Sequence, residues 1–196
     1  MTDPMIKPRD DGGSGRGAPP PTDPPPSAPN RGGPNRLATA IALWFGTGLL
    51  RPAPGTWGSL AATVMGMGLL TLGPWFLAGG AVLATGVGIW AAARYQATTG
   101  RHDASEVVVD EVAGQWIALC ALPLAGLGLS VEGAAAAFVL FRLFDIAKPG
   151  PIGWADRRLA GGLGVMLDDV LAGIAAGAIL WALATWTGLG DLATGG

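Results

Sequence analysis

FRLFDIAKPGPIGWADRRLAGGLGVMLDDVLAG, residues 141–173, is the stretch whose reading decides the fold. It opens on the end of an apolar segment that carries Arg142, Asp145 and Lys148 at intervals of three, the spacing that puts side chains along one face of a helix. Pro149 disfavours helical geometry at Lys148 and ends that helix. A turn-rich loop with Asp156, Arg157 and Arg158 follows. Gly161, Gly162 and Gly164 then allow close backbone approach, and Asp168 with Asp169 opens a second apolar segment. Two helices are predicted, joined by a polar loop, with charge gathered where they meet. A turn that only reverses the chain does not need that much charge.

Elsewhere the chain is poor in charge. Of its 196 residues, 13% are charged and 50% hydrophobic, against ~25% charged in ordinary soluble domains. Mean hydropathy is +0.43, which points to a membrane protein. The length suits one domain. Cys120 is the single cysteine, so no intrachain disulfide can form, and its apolar surroundings mark it as a small buried hydrophobe. Residues 1–36 hold 10 of the 16 prolines and 6 glycines with almost no large apolar side chains. Such a segment cannot bury enough surface to offset its ordering entropy. It reads as a disordered tail, with residues 37–196 as the membrane domain. PPPTDPPPSAP within it has the composition of a polyproline ligand, although a solvated tail explains it as well. No apolar run follows the early charges as a secretory signal requires.

From residue 37 onward apolar stretches alternate with short polar loops. Residues 37–45 are too few to span. Residues 58–72 and 75–93 form a predicted hairpin around Gly73-Pro74, a strong breaker pair. Residues 112–127 and 133–144 form a second around 126–132, and 170–189 is the last segment. A ~30 Å hydrocarbon core needs about 20 helical residues, which 75–93 and 170–189 supply. The expected fold is all-α: an integral membrane helical bundle of four or five short apolar segments, some irregular, with polar catalytic loops on one face. In that arrangement all 12 Lys and Arg residues fall on one side, the cytoplasmic one by the positive-inside rule. Nearly all the acidic residues of the domain share it.

Four polar clusters lie on that side. GTGLLRPAPGTWGS, residues 46–59, is a glycine-rich loop stiffened by Pro52 and Pro54. It can present backbone N–H groups and Arg51 to a phosphate, with Thr56 or Ser59 as a cap for the next helix. It is not a Walker loop, because Gly-Lys-Ser/Thr is missing. HDASEVVVDEVAG, residues 102–114, spaces Glu106 and Asp110 as neighbours on one helix face and starts an apolar helix with Asp110 and Glu111. Acids in a first turn ordinarily complement the helix dipole. The third and fourth clusters are the two halves of the opening stretch. Ionisable residues in apolar segments are costly and usually functional. Acidic pairs at helix starts, without His/Cys clusters, offer the hard oxygen donors that suit Mg²⁺ rather than zinc. Arg142, Lys148 and Arg157, with Arg51, would neutralise a substrate phosphate. That is equipment for phosphoryl chemistry by positioning and electrostatics.

With these residues in hand, the chain resembles phosphatidylglycerophosphatase A. The resemblance rests on GTGLLRPAPGTWGSLAA, HDASEVVVDEVAG and the whole 141–173 stretch, and covers residues 37–190. Ala104 stands where the family often has proline or histidine. The resemblance implies a Mg²⁺-dependent phosphatase of the bacterial inner (cytoplasmic) membrane, multi-pass, with its active site facing the cytoplasm. It would hydrolyse phosphatidylglycerophosphate to phosphatidylglycerol and phosphate, the last step in making that lipid, and would have no nucleic-acid partner. The family's acidic motifs map onto Asp110, Glu111, Asp145, Asp168 and Asp169 as metal ligands. Asp110, Glu111, Asp145 and Asp169 are the candidate catalytic groups.

Two other classes compete. A membrane lipid phosphotransferase would carry a D-x-x-D-G-x-x-A-R type motif, which is missing. An acid-lined cation carrier would place its charges at mid-membrane, whereas these cluster at one face. A histidine-nucleophile lipid phosphatase or a catalytic triad is disfavoured because His102 is the only histidine.

Overall fold

The computed structural model describes residues 35–101 and 104–188, all within one unit, Arg31–Gly196. The tail up to residue 34, and His102 and Asp103, lie outside the described residues. Every regular element described is helical, and no strand occurs among the described residues. Asn35 accepts from the Ala38 N–H at 3.2 Å and so caps α1, Arg36–Ala42. A 3₁₀ turn, Trp44–Leu49, leads to α2, Pro54–Leu72. Pro54 occupies the first turn, where a missing N–H costs nothing. Gly73 at φ +130° and Pro74 break the chain as expected, and α3 runs Pro74–Thr99 to a left-handed Gly100. Then come α4, Val109–Leu119, the short α5, Ala121–Leu124, and α6, Val131–Ala147. Ser130 caps α6 by accepting from the Gly133 N–H at 2.9 Å. The amphipathic α7 is Pro151–Arg158, and α8 is Gly161–Thr187.

Two expectations change. The apolar run 112–127 is not one span. It breaks after Leu119 into α4 and α5, and α4 at 1.5 Å per residue is only about 16 Å long. Two helices, α3 and α8, are long and apolar enough to cross a membrane. Finally, α8 begins at Gly161, so Asp168 and Asp169 stand about two turns inside it rather than at its start. The glycine run read as a loop is helical because it packs closely: a Cβ on Gly162 would overlap the Ile89 carbonyl of α3, and one on Gly164 the Leu159 carbonyl.

Helix α8 is the central element, packed against α3, α4, α6 and α7. Its most extensive packing is against α4. A Cβ on Gly173 would overlap the Gly114 carbonyl, and a Cβ on Gly114 would lie 2.5 Å from the Asp169 carbonyl and from the Phe141 ring. On its other side α4 is tied to α2 by the Trp116 indole N–H, which donates to the Ala62 carbonyl at 2.8 Å. Val64, Val82, Val139 and Trp186 face outward, an apolar exterior that water would penalise. Gly173→Val must push α4 from α8 against backbone, with no flexible side chain to yield. We expect a loss of about 2–3 kcal/mol, seen as a lower melting temperature in detergent. An unchanged melting temperature would show that the close crossing is not needed.

Candidate active site

The site forms where α2, α4, α6, α7 and α8 converge. Asp110 and Glu111 occupy the first turn of α4. From α6 come Arg142, Asp145 and the residue that ends it, Lys148. Proline follows Lys148, so the helix cannot continue. Lys148 adopts a left-handed conformation, φ 43° and ψ 53°, a strain of about 1 kcal/mol for a residue with a Cβ. The reversal is accompanied by two contacts across the loop: its Nζ donates to Asp168 Oδ2 at 2.7 Å and Asp156 Oδ1 at 2.5 Å. Burial alone would lower the Lys148 pKa, but these two carboxylates hold it above the usual lysine range.

Arg142 is the second organising cation. Its Nη1 donates to Asp145 Oδ2 at 2.6 Å and Glu111 Oε1 at 3.1 Å, and lies 3.5 Å from Ser59 Oγ. Glu111 reaches it through a space kept open by glycine. A Cβ on Gly55 would overlap the Glu111 carboxylate, and one on Gly58 would lie 2.7 Å from Oε2. Burial raises the Glu111 carboxyl to about 7, against the pull of Arg142 and with the push of Asp145. Burial, then the neighbouring Glu111, raises Asp110 well above the carboxylate range.

These groups line one cavity of about 530 Å³. Asp110, Glu111, Asp145, Asp156, Asp168 and Asp169 face Arg142 and Lys148 there, six acids against two cations, a formal excess of four negative charges. Asp169 is 3% exposed and surrounded by the like charges of Asp110, Asp145, Asp168 and Glu111. Glu111 Oε2 and Asp168 Oδ1 are buried without a partner. A buried carboxylate oxygen in that state is costly, and the Arg142 Nε donor is likewise buried without a partner among the described residues.

All five predicted metal ligands therefore meet, with Arg142 and Lys148 beside them. Asp168 and Asp169, about 100° apart on the helix, both line the cavity. The structure does not bring Arg51 or Arg157 there. Arg51 lines a neighbouring hollow. Arg157 lies one residue round α7 from Asp156, its guanidinium beside Gly153. Glu106 departs as well, because α4 starts only at Val109 and the helical spacing to Asp110 is never realised. Instead Glu106 accepts from Tyr95 at 3.1 Å and Arg101 at 2.5 Å. Sequence reasoning missed Asp156 as the partner of Lys148. It also missed the fully buried Gln115, whose amide has no partner and which lies one turn after Glu111 on α4. The Glu111-to-Gln115 spacing was the available signal for it.

Known proteins match this chain over these helices. The model of the phosphatidylglycerophosphatase A family matches residues 40–184. A phosphatidylglycerophosphatase A of Haemophilus influenzae is 44% identical over 147 residues, 74% of this chain and 88% of that protein. Its Escherichia coli namesake is 41% identical over 142 residues, 72% of this chain and 80% of that protein. A Bacteroides thetaiotaomicron protein, provisionally named a phosphatidylinositol-3-phosphatase, is 42% identical over 158 residues, 78% of this chain and 96% of that protein. No solved structure matches. The matched span carries every acid and both cations of the cavity, and the chain, a phosphatase, belongs to the phosphatidylglycerophosphatase A family.

Proposed function

We propose that this protein hydrolyses phosphatidylglycerophosphate to phosphatidylglycerol and phosphate with Mg²⁺, at the cytoplasmic face of a bacterial inner membrane. The observation that carries the reading is the charge of the cavity. A phosphomonoester dianion does not enter a hollow with four excess carboxylates unless a cation enters with it. Among the described residues no group of three or more His, Cys, Asp or Glu side chains stands ready-made to hold a metal. Mg²⁺ does not require one, since it binds through one or two carboxylates and keeps water and phosphate in its other positions. The unpartnered oxygens of Glu111 and Asp168, with Asp110, Asp145 and Asp169, are the donor set that fits it. When bound, Mg²⁺ supplies charge neutralisation at the phosphoryl oxygens and lowers the pKa of a coordinated water.

The protein's own groups do the rest. Only Nη1 of Arg142 is engaged by protein, and Nη2 carries no partner among the described residues, so it can donate to a phosphoryl oxygen. Lys148 adds a second positive charge at the cavity wall. A carboxylate of the cluster accepts the proton of the attacking water. The oxygen–phosphorus bond of the water forms as the bond to the glycerol oxygen breaks, that oxygen leaves as the alcohol of phosphatidylglycerol with a proton returned from the cluster or solvent, and Arg142 stabilises the charge that builds on the phosphoryl group. The placement of Lys and Arg on one side supports a multi-pass bundle in which α3 and α8 cross fully and the shorter helices pack around them. The residues before Asn35 are proposed to take no part in catalysis, on their proline- and glycine-rich composition.

Sealed inside-out vesicles should release phosphate from added short-chain phosphatidylglycerophosphate on addition of Mg²⁺ and stop with EDTA. Right-side-out vesicles should need permeabilising. Release without divalent metal sinks the metal assignment, equal rates in both vesicles sink the orientation, and no release sinks the substrate.

A further inference from the structure

Beside the acid-lined cavity lies a second hollow of about 220 Å³, and the two share Pro54 and Ser105 in their walls. Their charges are opposite. Among the described residues, the second is lined by Arg51 and Arg101 with Glu106 as its single acid. Glu106 is already engaged by Arg101 and by the Tyr95 hydroxyl. Arg51 is exposed and has no ion pair among the described residues, so its whole charge is available to a ligand. The wall that carries it is well held. Pro52 and Pro54 restrict the backbone just after it, and a Cβ on Gly48 would overlap the Glu106 carbonyl, so the loop lies against the segment before α4 without a gap.

Resting on the substrate reading above, we propose that this hollow binds the phosphodiester of the lipid whose terminal phosphomonoester occupies the acid-lined cavity. Phosphatidylglycerophosphate carries both groups, joined through one glycerol, and the two hollows adjoin. A phosphodiester is a monoanion with no titratable proton near neutrality, so one or two guanidinium groups satisfy it without a metal. The surplus of carboxylates in the first cavity repels it, while the first cavity's metal and cations suit the doubly charged monoester. The charge difference therefore sets which phosphate is cut. It also predicts that the product, which keeps its diester, remains a ligand of the second hollow after phosphate leaves.

The test is inhibition of phosphate release from short-chain phosphatidylglycerophosphate in detergent, with Mg²⁺ saturating. Two inhibitors separate the sources of anion: dihexanoyl phosphatidylglycerol, which has only the diester, and inorganic phosphate, which mimics the monoester. Arg51→Gln should raise the inhibition constant of the phosphatidylglycerol about tenfold, the loss of one charge-assisted hydrogen bond. It should leave that of inorganic phosphate within about twofold of the parent. Arg51→Lys, which keeps the charge, should fall between. Arg51 is exposed and unpaired, so neither variant threatens folding. An unchanged phosphatidylglycerol constant overturns the proposal, and so does an equal shift for both inhibitors, which would place Arg51 at the monoester. If the parent protein releases no phosphate from phosphatidylglycerophosphate, the substrate reading fails and takes this inference with it.

Discussion

Asp169→Asn should lower phosphate release by about a thousandfold, the scale set by removing a charged or dipolar group from the reacting centre. It should do so without unfolding the protein. Asp169 is buried on the central helix among four other carboxylates, and no cation is bonded to it among the described residues. The amide has the same shape and removes one of the mutually repelling charges. Without Mg²⁺, then, Asp169→Asn should melt at or above the parent temperature while being almost inactive. Active sites trade stability for function in this way. The check is phosphate release across a Mg²⁺ titration alongside thermal unfolding in detergent with EDTA. A variant that keeps more than about a tenth of the parent rate removes Asp169 from the chemistry. One that is inactive and melts far below the parent gives Asp169 a structural role instead.

Arg142→Ala should cost about a thousandfold in turnover, as for other arginines that meet a transferring phosphoryl group. Raising Mg²⁺ should not restore the rate, because the lost charge acts on phosphate and not on the metal. Alanine also strips Glu111 and Asp145 of their shared partner, and breaking a half-buried pair of this kind costs about 3 kcal/mol. The alanine variant alone would therefore confuse chemistry with folding. Arg142→Lys keeps the positive charge between the two acids but loses the planar fork that can hold Glu111, Asp145 and phosphate together. It should fold like the parent and still lose most of its turnover. Near-parental turnover for Arg142→Lys, or recovery of Arg142→Ala at high Mg²⁺, would remove Arg142 from direct contact with phosphate.

Much of this site was legible from local chemistry. Asp110 and Glu111 do stand in the first turn of a helix, and Pro149 does end α6 at Lys148. The misreadings share a cause. Gly162 and Gly164 do allow the close backbone approach expected of them, against α3 and the Leu159 backbone, but from inside α8 rather than ahead of it, because glycine's low helix propensity is overridden by that packing. Glu106 and Asp110 were paired by helical spacing because nothing near them shows that the helix starts only at Val109. Gly55 and Gly58, expected to give the loop its unusual backbone angles, lie instead in α2 and make room for the Glu111 carboxylate.

The sequence by itself determined the helical class, the breaks at Gly73-Pro74 and Lys148-Pro149, and which acidic residues are candidates for the site. Those properties depend on backbone geometry and side-chain chemistry over a few residues. Only the tertiary structure decided which acids meet. Asp110 and Asp169 are neighbours because Gly114 and Gly173 let α4 and α8 approach backbone to backbone. Arg142 joins Glu111 to Asp145 because α2 leaves a glycine-lined gap between them. Tertiary packing also sent Arg51 to a hollow of its own, beside Arg101 and away from the other cations. Distances between residues far apart in the chain follow from how closely helices can pack, and that depends on side chains that are missing as much as on those present.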